Sequence, residues 1–154
     1  MRINMDCIRD ILLCVEQNAG FPKFCMFYET ETVPVDPVLF EPPENLLDYQ
    51  IKLQESYAND VLFYHLRYCI EAGLVKTHPD IVKLVSTGHY CASIPVHDLT
   101  VSGHELIAKI RDASRWSGIK KSLPAIRNYS LEAINALSQG MTSAAITAYL
   151  SKNP

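Results

Sequence analysis

The sequence lacks any long hydrophobic run: its apolar stretches end well short of the ~20 residues that a membrane-spanning helix needs. The N-terminal region also lacks the acid-free stretch of a secretory signal, because Asp6, Asp10 and Glu16 fall within it. We therefore expect a soluble, cytoplasmic protein. Its 154 residues are 48% hydrophobic and 20% charged, a composition that predicts a folded globular domain.

Sequence motifs of common enzymes are also missing. The chain contains no nucleophile elbow, no glycine-rich phosphate loop and no HExxH pair, and its six glycines leave little from which to build such a loop. We therefore expect no enzymatic activity, no catalytic residue and no cofactor.

The cysteines are odd in number and include no CxxC pair, so we expect free, buried thiols. The five are Cys7, Cys14, Cys25, Cys69 and Cys91. Several possible zinc ligands occur between residues 78 and 97, namely His78, His89, Cys91 and His97. Zinc ligands normally come as short, regularly spaced pairs, and this group offers a single H-x-C pair. We therefore predict no metal site.

Basic residues are scarce in the first two thirds of the chain. Residues 1–58 contain ten acids and four bases, residues 59–100 four acids and three bases, and residues 101–154 three acids and seven bases. Only the last third can therefore present a basic face. This distribution weakens a nucleic-acid-binding interpretation, because nonspecific affinity depends on neutralising phosphates.

The first half predicts a helix, a long loop and a short strand. Apolar residues recur at helical spacing over about residues 4–18. Five prolines exclude a helix through most of 21–48, which we expect to be a short strand at 23–28 followed by an acidic, aromatic loop. Tyr49, Ile51 and Leu53 alternate, which predicts a strand.

The middle of the chain predicts a helix and a β-wing. A broad apolar stripe that includes His65 indicates a helix ending at Gly73, and we expect His65 to have a structural role. Strands are predicted at 74–77 and 90–99, with turns at 78–79 and 86–88 between them. Helix, strand, turn, strand, helix is the order of a winged helix-turn-helix.

The stretch after the wing predicts another helix. Thr100 is placed to cap it, although Ser102 with Glu105 also fits a capping box. His104 follows Gly103 at the start of this helix, and we expect His104 to bond a wing carbonyl and lock the wing to the helix. Trp116 is predicted to be a core anchor that fastens the end of the helix to the first helix.

The C-terminal part predicts a basic linker at 117–130 and then a helix capped by Ser130, with Gly140 inside it. The predicted organisation is a winged-helix-like domain over 1–123, with 21–48 as an insertion, and a C-terminal helix over 124–154. The segment 130–150 is apolar and rich in small residues, so we expect it to form a homodimer.

Three segments of the chain read MDCIRDIL, YHLRYCIEAGLV and LTVSGHELIAKIRDASRW. They resemble the domain-of-unknown-function 2513 family, small proteins of bacterial genomes and prophages, and the resemblance covers nearly the whole chain. The resemblance implies a winged-helix-like α+β fold. It implies no activity, cofactor or catalytic residue.

Two functions remain. The first, which the fold favours, is a DNA-binding regulator: Asn59, Tyr64 and Arg67 would enter a major groove, and Lys76 and Lys83 would contact phosphate. The second is a protein-binding adaptor, with a host protein as partner, that uses the aromatic loop and the last helix. The helix that would enter the groove is poor in hydrogen-bond donors, which counts against the first function. The order of the predicted elements nevertheless leads us to predict the regulator, associated with a prophage, and to keep the adaptor as the alternative.

Overall fold

The computed structural model describes residues 1–30, 46–126 and 131–140, and these residues combine seven helices with four short strands. None of the described helices is long and apolar enough to cross a membrane. The chain divides into two compact units, one of residues 6–104 and the other of residues 1–5 with 105–154. The α+β class predicted from the sequence is confirmed.

The larger unit contains most of the elements. In chain order they are α1 (Met5–Asn18), β1 (Cys25–Tyr28), α2 (Asp48–Ser56), α3 (Asn59–Glu71), β2 (Val75–Lys76), α4 (Pro79–Ser86), β3 (Ser93–Val96) and β4 (Asp98–Leu99), with α5 (Val101–Ile110) starting at its end. The predictions of α1, β1, α3 and β2 are confirmed to within about two residues. Gly73 follows α3 with a φ of 66°, the left-handed conformation expected of the residue that ends a helix.

The strands pair in two antiparallel ladders rather than in one wing. Val75 lies opposite Leu99 in the β2–β4 ladder, as the wing prediction required. The predicted strand over 90–99 is, however, split at His97, and its first part, β3, pairs with β1. Ile94 and Val96 are fully buried, so β3 contributes its alternate side chains to the core formed with β1.

Residues 49–53 form part of a helix, α2, and the predicted strand is wrong. Three alternating residues cannot distinguish a period of two from one of 3.6, and Ile51 is exposed whereas Gln50 and Leu53 are buried. The Tyr49 hydroxyl accepts from the Met26 N–H (2.7 Å) and donates to the Met26 carbonyl (2.8 Å). The Gln50 amide makes the same pair of bonds with Tyr28 (2.9 and 2.6 Å). Side chains of α2 thus satisfy backbone groups of β1 as a further strand would.

The segment predicted to turn at 78–79 and 86–88 contains a helix, α4. His78 caps it, with Nδ1 accepting from the Asp80 N–H at 3.2 Å, and Pro79 occupies its first turn. Of its side chains only Val85 is buried. An eight-residue helix bounded by turn-forming residues has a sequence that also fits a loop, which is why it was missed.

A tight corner joins β2, β4 and α5. The Thr100 N–H donates to the Leu74 carbonyl (3.0 Å), and its hydroxyl donates to the Gly73 carbonyl (2.5 Å). Thr100 Oγ1 accepts from the Gly103 N–H (3.0 Å), which places the cap at Thr100 rather than at Ser102. Gly103 is buried, and a Cβ there would lie 2.1 Å from the Leu74 oxygen.

The smaller unit contains the rest of α5, α6 (Ala113–Ile126) and α7 (Leu131–Ser138). The predicted linker at 117–130 is wrong over 117–126, where α6 continues. Asp112 separates α5 from α6, and its Oδ1 accepts from the Arg115 N–H at 2.7 Å. The buried stripe Trp116, Ile119 and Leu123 has helical spacing, a signal that the prolines and glycines of this segment obscured.

Some predictions concern residues that lie partly or wholly outside the described ones. They include the Ser130 cap, most of the 21–48 loop and most of the 130–150 segment, so the homodimer stays a prediction. Gly140 has a φ of 86° and follows the end of α7 at Ser138, so the prediction that it lies inside the helix is wrong.

Candidate functional site

The outer face of α3 is the surface to which the sequence assigned DNA reading. The helix buries Leu62, Phe63, His65, Leu66, Cys69 and Ile70. Its exposed side chains are Asp60, Tyr64 and Glu71, and Arg67 and Tyr68 are half-buried. The face is therefore formed by tyrosines and acids, and α3 contributes a single base to it.

Asn59, proposed to read bases, is 4% exposed and belongs to an internal network. Its Oδ1 accepts hydrogen bonds from the Gln54 amide (3.2 Å) and the Thr30 hydroxyl (3.4 Å). These bonds connect α2 and the residues that follow β1 to the start of α3. In this conformation the side chain is not available to a nucleic acid.

Arg67, the second proposed reader, forms an ion pair with Glu29. The Arg67 guanidinium donates to the Glu29 carboxylate at 2.9 Å, and the two side chains are 32% and 8% exposed. Its Nε is buried and has no hydrogen-bond partner among the described residues. Glu29 follows β1 and its N–H bonds the Ala92 carbonyl (2.9 Å), so the ion pair fastens α3 to the β1–β3 ladder. The sequence did not reveal that Glu29 is the partner of Arg67, because no local pattern links two residues 38 positions apart.

His65 is fully buried, with its Nδ1 2.7 Å from the Val61 carbonyl one turn earlier. That distance indicates an Nδ1–H that donates to the carbonyl. The Tyr64 ring meets the imidazole edge-on, at 5.1 Å between centroids. These contacts are those of a residue that packs α3.

The two lysines proposed for phosphate contact, Lys76 on β2 and Lys83 on α4, are both exposed. Of the five residues assigned to DNA, these two and Tyr64 therefore remain at the surface. Burial raises the pKa of neighbouring Tyr68, with smaller contributions from Cys69 and Tyr64, so the phenol is neutral near pH 7.

A short turn before β1, which we call the aromatic turn (residues 20–24), presents two phenylalanines to solvent. The Gly20 N–H donates to the Lys23 carbonyl (3.0 Å), and the Lys23 N–H donates to the Gly20 carbonyl (2.7 Å). Phe21 is 101% exposed and Phe24 is 49% exposed. The Phe24 ring lies 5.7 Å from that of His97.

The aromatic turn and the β2–β4 ladder border a cleft of about 240 Å³. It is lined by Phe21, Pro22, Lys23, Phe24, Lys76, His97 and Asp98. Two lysines and two phenylalanines thus lie around one concave surface. The sequence indicated an aromatic loop here but not that Lys76 and His97 would lie beside it.

A larger cavity, of about 390 Å³, lies between α1 and α2. Its lining includes Asp10, Cys14, Asp48, Lys52 and Tyr57. The Tyr57 hydroxyl donates to Asp10 Oδ2 at 2.7 Å, and burial and this carboxylate together raise the pKa of the phenol. The mixture of two acids and one base indicates no particular ligand.

The possible zinc ligands around the predicted wing have different neighbours in the structure. His78 contacts Asp80, and His89 Nδ1 lies 2.7 Å from the Thr87 hydroxyl. Cys91 is buried, and His97 lies beside Phe24. Across the described part of the chain, no three His, Cys, Asp or Glu side chains are grouped so that they could hold a metal ion.

The remaining predicted structural residues lie at the ends of α5 and within α6. His104 Nε2 lies 3.7 Å from Asp98 Oδ1, so its contact with β4 is a carboxylate rather than the predicted carbonyl. Trp116 is 3% exposed, and Lys120 Nζ lies 5.7 Å from the ring centroid. Its predicted contact with the first helix stays a prediction.

A family model described as Hypothetical protein (DUF2513) matches residues 2–128, and the chain belongs to this family. No curated protein and no solved structure matches the chain. The match extends from α1 to the end of α6, so it includes both the aromatic turn and the Thr100 corner.

Proposed function

We propose that this DUF2513 protein is a non-catalytic protein-binding module that docks its partner on the aromatic turn and the adjoining cleft. The observation that carries the proposal is the exposure of Phe21 and Phe24 on a turn whose backbone is held by two internal hydrogen bonds. Exposed aromatic groups in a fixed conformation are typical of interaction sites, because little conformational entropy is lost when a partner covers them.

The cleft beside the aromatic turn supports a peptide-like partner with acidic and apolar groups. Lys23 and Lys76 are exposed at its border, and each can pair with a carboxylate. Phe21 and Phe24 provide the apolar contact. Aromatic residues, phenylalanine included, are enriched at the centre of protein interfaces, where charged residues are depleted.

The charge of α3 supports a protein partner over DNA. The exposed residues Asp60 and Glu71 would repel phosphates, and the charge of Arg67 is already paired with Glu29. A helix that binds duplex DNA needs several basic residues on this face, because its affinity depends on the number of phosphates that they neutralise. Each such contact contributes about −0.9 to the slope of log K against log salt.

The second candidate is the DNA-binding regulator, and the element order favours it. A short connection of residues 57 and 58 joins α2 to α3, and the β2–β4 ladder then leads into α5 as a wing would. In this proposal the fold is winged-helix-like, and Tyr64, Lys76 and Lys83 provide the contacts.

The two candidates predict different effects of two double substitutions. For the protein-binding module, Phe21→Ala with Phe24→Ala should weaken capture of a partner at least tenfold, roughly 1.4 kcal/mol or more. The matched control is Val82→Ala with Leu84→Ala, two exposed apolar residues on α4. Affinity capture with each variant, quantified by mass spectrometry, gives the comparison.

DNA binding is tested by titrating salt into a mixture of the protein and random duplex DNA. A regulator should bind it with a slope of about −2 to −4, and Lys76→Ala with Lys83→Ala should abolish that binding. Such a result would replace the protein-binding proposal with the regulator. A partner retained equally by the phenylalanine variant and its control would also contradict docking on the aromatic turn.

A further inference from the structure

We propose that His97 sets how tightly the cleft beside the aromatic turn binds an acidic, apolar peptide segment, so that docking strengthens when this histidine is protonated. The inference rests on the proposed function, because it assigns a partner chemistry and a regulation to the same cleft. His97 lies between β3 and β4, where the chain passes from one ladder to the other, and it lines the cleft together with Lys23 and Lys76.

The backbone and the ring of His97 are both placed by contacts with the cleft. The His97 N–H donates to the Lys76 carbonyl at 2.8 Å, which fixes the residue beside β2. Its ring centroid lies 5.7 Å from that of Phe24, with 43° between the ring planes. A cation at this distance from an aromatic ring is attracted to it, so the Phe24 ring tolerates a protonated imidazole. His97 is also exposed, and its protonation therefore requires no change in the core.

Protonation of His97 changes the charge of the cleft lining. The other charged groups of the lining are Lys23 on the aromatic turn, Lys76 on β2 and Asp98 on β4, and Asp98 lies opposite Lys76 in the β2–β4 ladder. With a neutral imidazole, two cations face one anion. Lysine and carboxylate side chains keep their charges between about pH 5.5 and 7.5, whereas histidine gains one as the pH falls. A partner's carboxylate then meets a third cation.

A second histidine, His104 on α5, contacts the acid of the lining from behind. Asp98 Oδ1 accepts from the Leu99 N–H at 2.7 Å and lies 3.7 Å from His104 Nε2. A protonated His104 pairs with Asp98 and so reduces its repulsion of a partner's carboxylate. Both histidines therefore act in the same direction. Because His97 lines the cleft and His104 acts only through Asp98, we expect His97 to account for most of the pH dependence.

Two short rhodamine-labelled peptides, titrated with the full-length protein and followed by fluorescence anisotropy, test the inference. One alternates glutamate with phenylalanine, and its matched control has glutamine in place of every glutamate. The acidic peptide should bind about three to five times more tightly at about pH 5.5 than at about pH 7.5, the gain expected of one exposed ion pair. The glutamine peptide should bind equally at both pH values.

Three variants assign the pH dependence to a residue. His97→Gln should reduce the difference between the two pH values to less than about twofold, and His97→Lys should bind the acidic peptide equally at both. His89→Gln is the matched control, because His89 is exposed but contacts Thr87 outside the cleft lining, and it should keep the difference found in the parent.

The role of His97 is overturned if His97→Gln keeps the full pH dependence, or if His104→Gln alone removes it. Equal pH dependence of the two peptides, or no binding of the acidic peptide at about pH 5.5, would overturn it as well. These outcomes are distinct from failure of the proposed function. Binding of both peptides that depends on Phe21 and Phe24 but not on pH would support the docking site while it contradicts the role of His97.

Discussion

Replacing Gly103 by alanine should destabilise the protein strongly, because α5 passes directly over the backbone of residue 74. A Cβ at position 103 would lie 2.1 Å from the Leu74 oxygen, 3.1 Å from its carbonyl carbon and 3.3 Å from the Leu99 Cβ. Ordinary contact with the oxygen begins at 3.4 Å, so the two segments would have to separate by about 1.3 Å.

The surroundings of Leu74 cannot supply that movement cheaply. Its oxygen accepts from the Thr100 N–H (3.0 Å), and its N–H donates to the Cys69 carbonyl (2.9 Å). Separation would weaken the Thr100 bond and strain the cap on Gly103, each worth about 1 kcal/mol, in addition to an overpacking cost of about 1–3 kcal/mol. Alanine has a better helix propensity than glycine, which offsets about 1 kcal/mol of this cost. We therefore expect the free energy of unfolding of Gly103→Ala to be lower by roughly 2–4 kcal/mol.

Gly118 is the matched control, since it also lies within a helix. It is in α6, and a Cβ there would meet nothing within 4 Å, so Gly118→Ala should gain about 1 kcal/mol. Urea unfolding followed by circular dichroism measures both changes, and the melting temperatures should move in opposite directions, by roughly 5–10 °C downward for Gly103→Ala. The close-approach argument is refuted if Gly103→Ala is as stable as the parent. A loss of stability in Gly118→Ala would instead contradict the open space found around that glycine.

Three further predictions concern named contacts. Arg67→Met and Glu29→Gln should each lower the free energy of unfolding, measured in urea, by about 1–3 kcal/mol, because each change leaves one partner of the ion pair without the other. The double variant should lose less than the sum of the two single losses. Strictly additive losses would mean that the ion pair contributes nothing to stability. Trp116→Ala should cost about 3–5 kcal/mol in urea unfolding, as for other buried aromatic residues, and a midpoint within error of the parent would show that the indole is not a core anchor. Burial raises the pKa of Tyr49 to about 12, so between about pH 10 and 12 the unfolded state loses the phenolic proton first and stability falls as pH rises. In Tyr49→Phe the free energy of unfolding should fall less between about pH 10 and 12 than it does in the parent. At neutral pH the variant should be less stable by about 1–2 kcal/mol, because it lacks the two hydrogen bonds to β1. An unchanged fall at alkaline pH would show that the Tyr49 phenol is not its source.

The helices with long, regular apolar stripes were predictable from the sequence. The stripe of α3 and the glycine after it predicted both the helix and its end, because burial on one face requires helical spacing. The corner at Thr100 was predictable for a similar reason, since the cap is a local interaction between neighbouring residues. Short elements such as α2 and α4 were not, because three to eight residues contain too few repeats to reveal a period.

The candidate site shows the same division. The sequence indicated that segment 21–48 is rich in aromatic residues, but it did not indicate which of them are exposed or which cations lie beside them. Asn59 and Arg67 were assigned to DNA because they are among the few hydrogen-bond donors on the helix predicted to enter the major groove. Their true partners, Thr30 and Glu29, come from a part of the chain about thirty to forty residues away. No local pattern records such a contact.

The sequence alone determined the family, the α+β class and the helices whose stripes are long, because these depend on composition and on neighbours within a few turns. Three other features were decided by the tertiary structure alone. β3 pairs with β1, and Tyr49 and Gln50 of α2 bond the backbone of β1. The Arg67 guanidinium forms an internal ion pair with Glu29. Each of these outcomes follows from the requirement that buried polar groups find partners, and the partner is whichever group the folded chain brings within hydrogen-bonding distance.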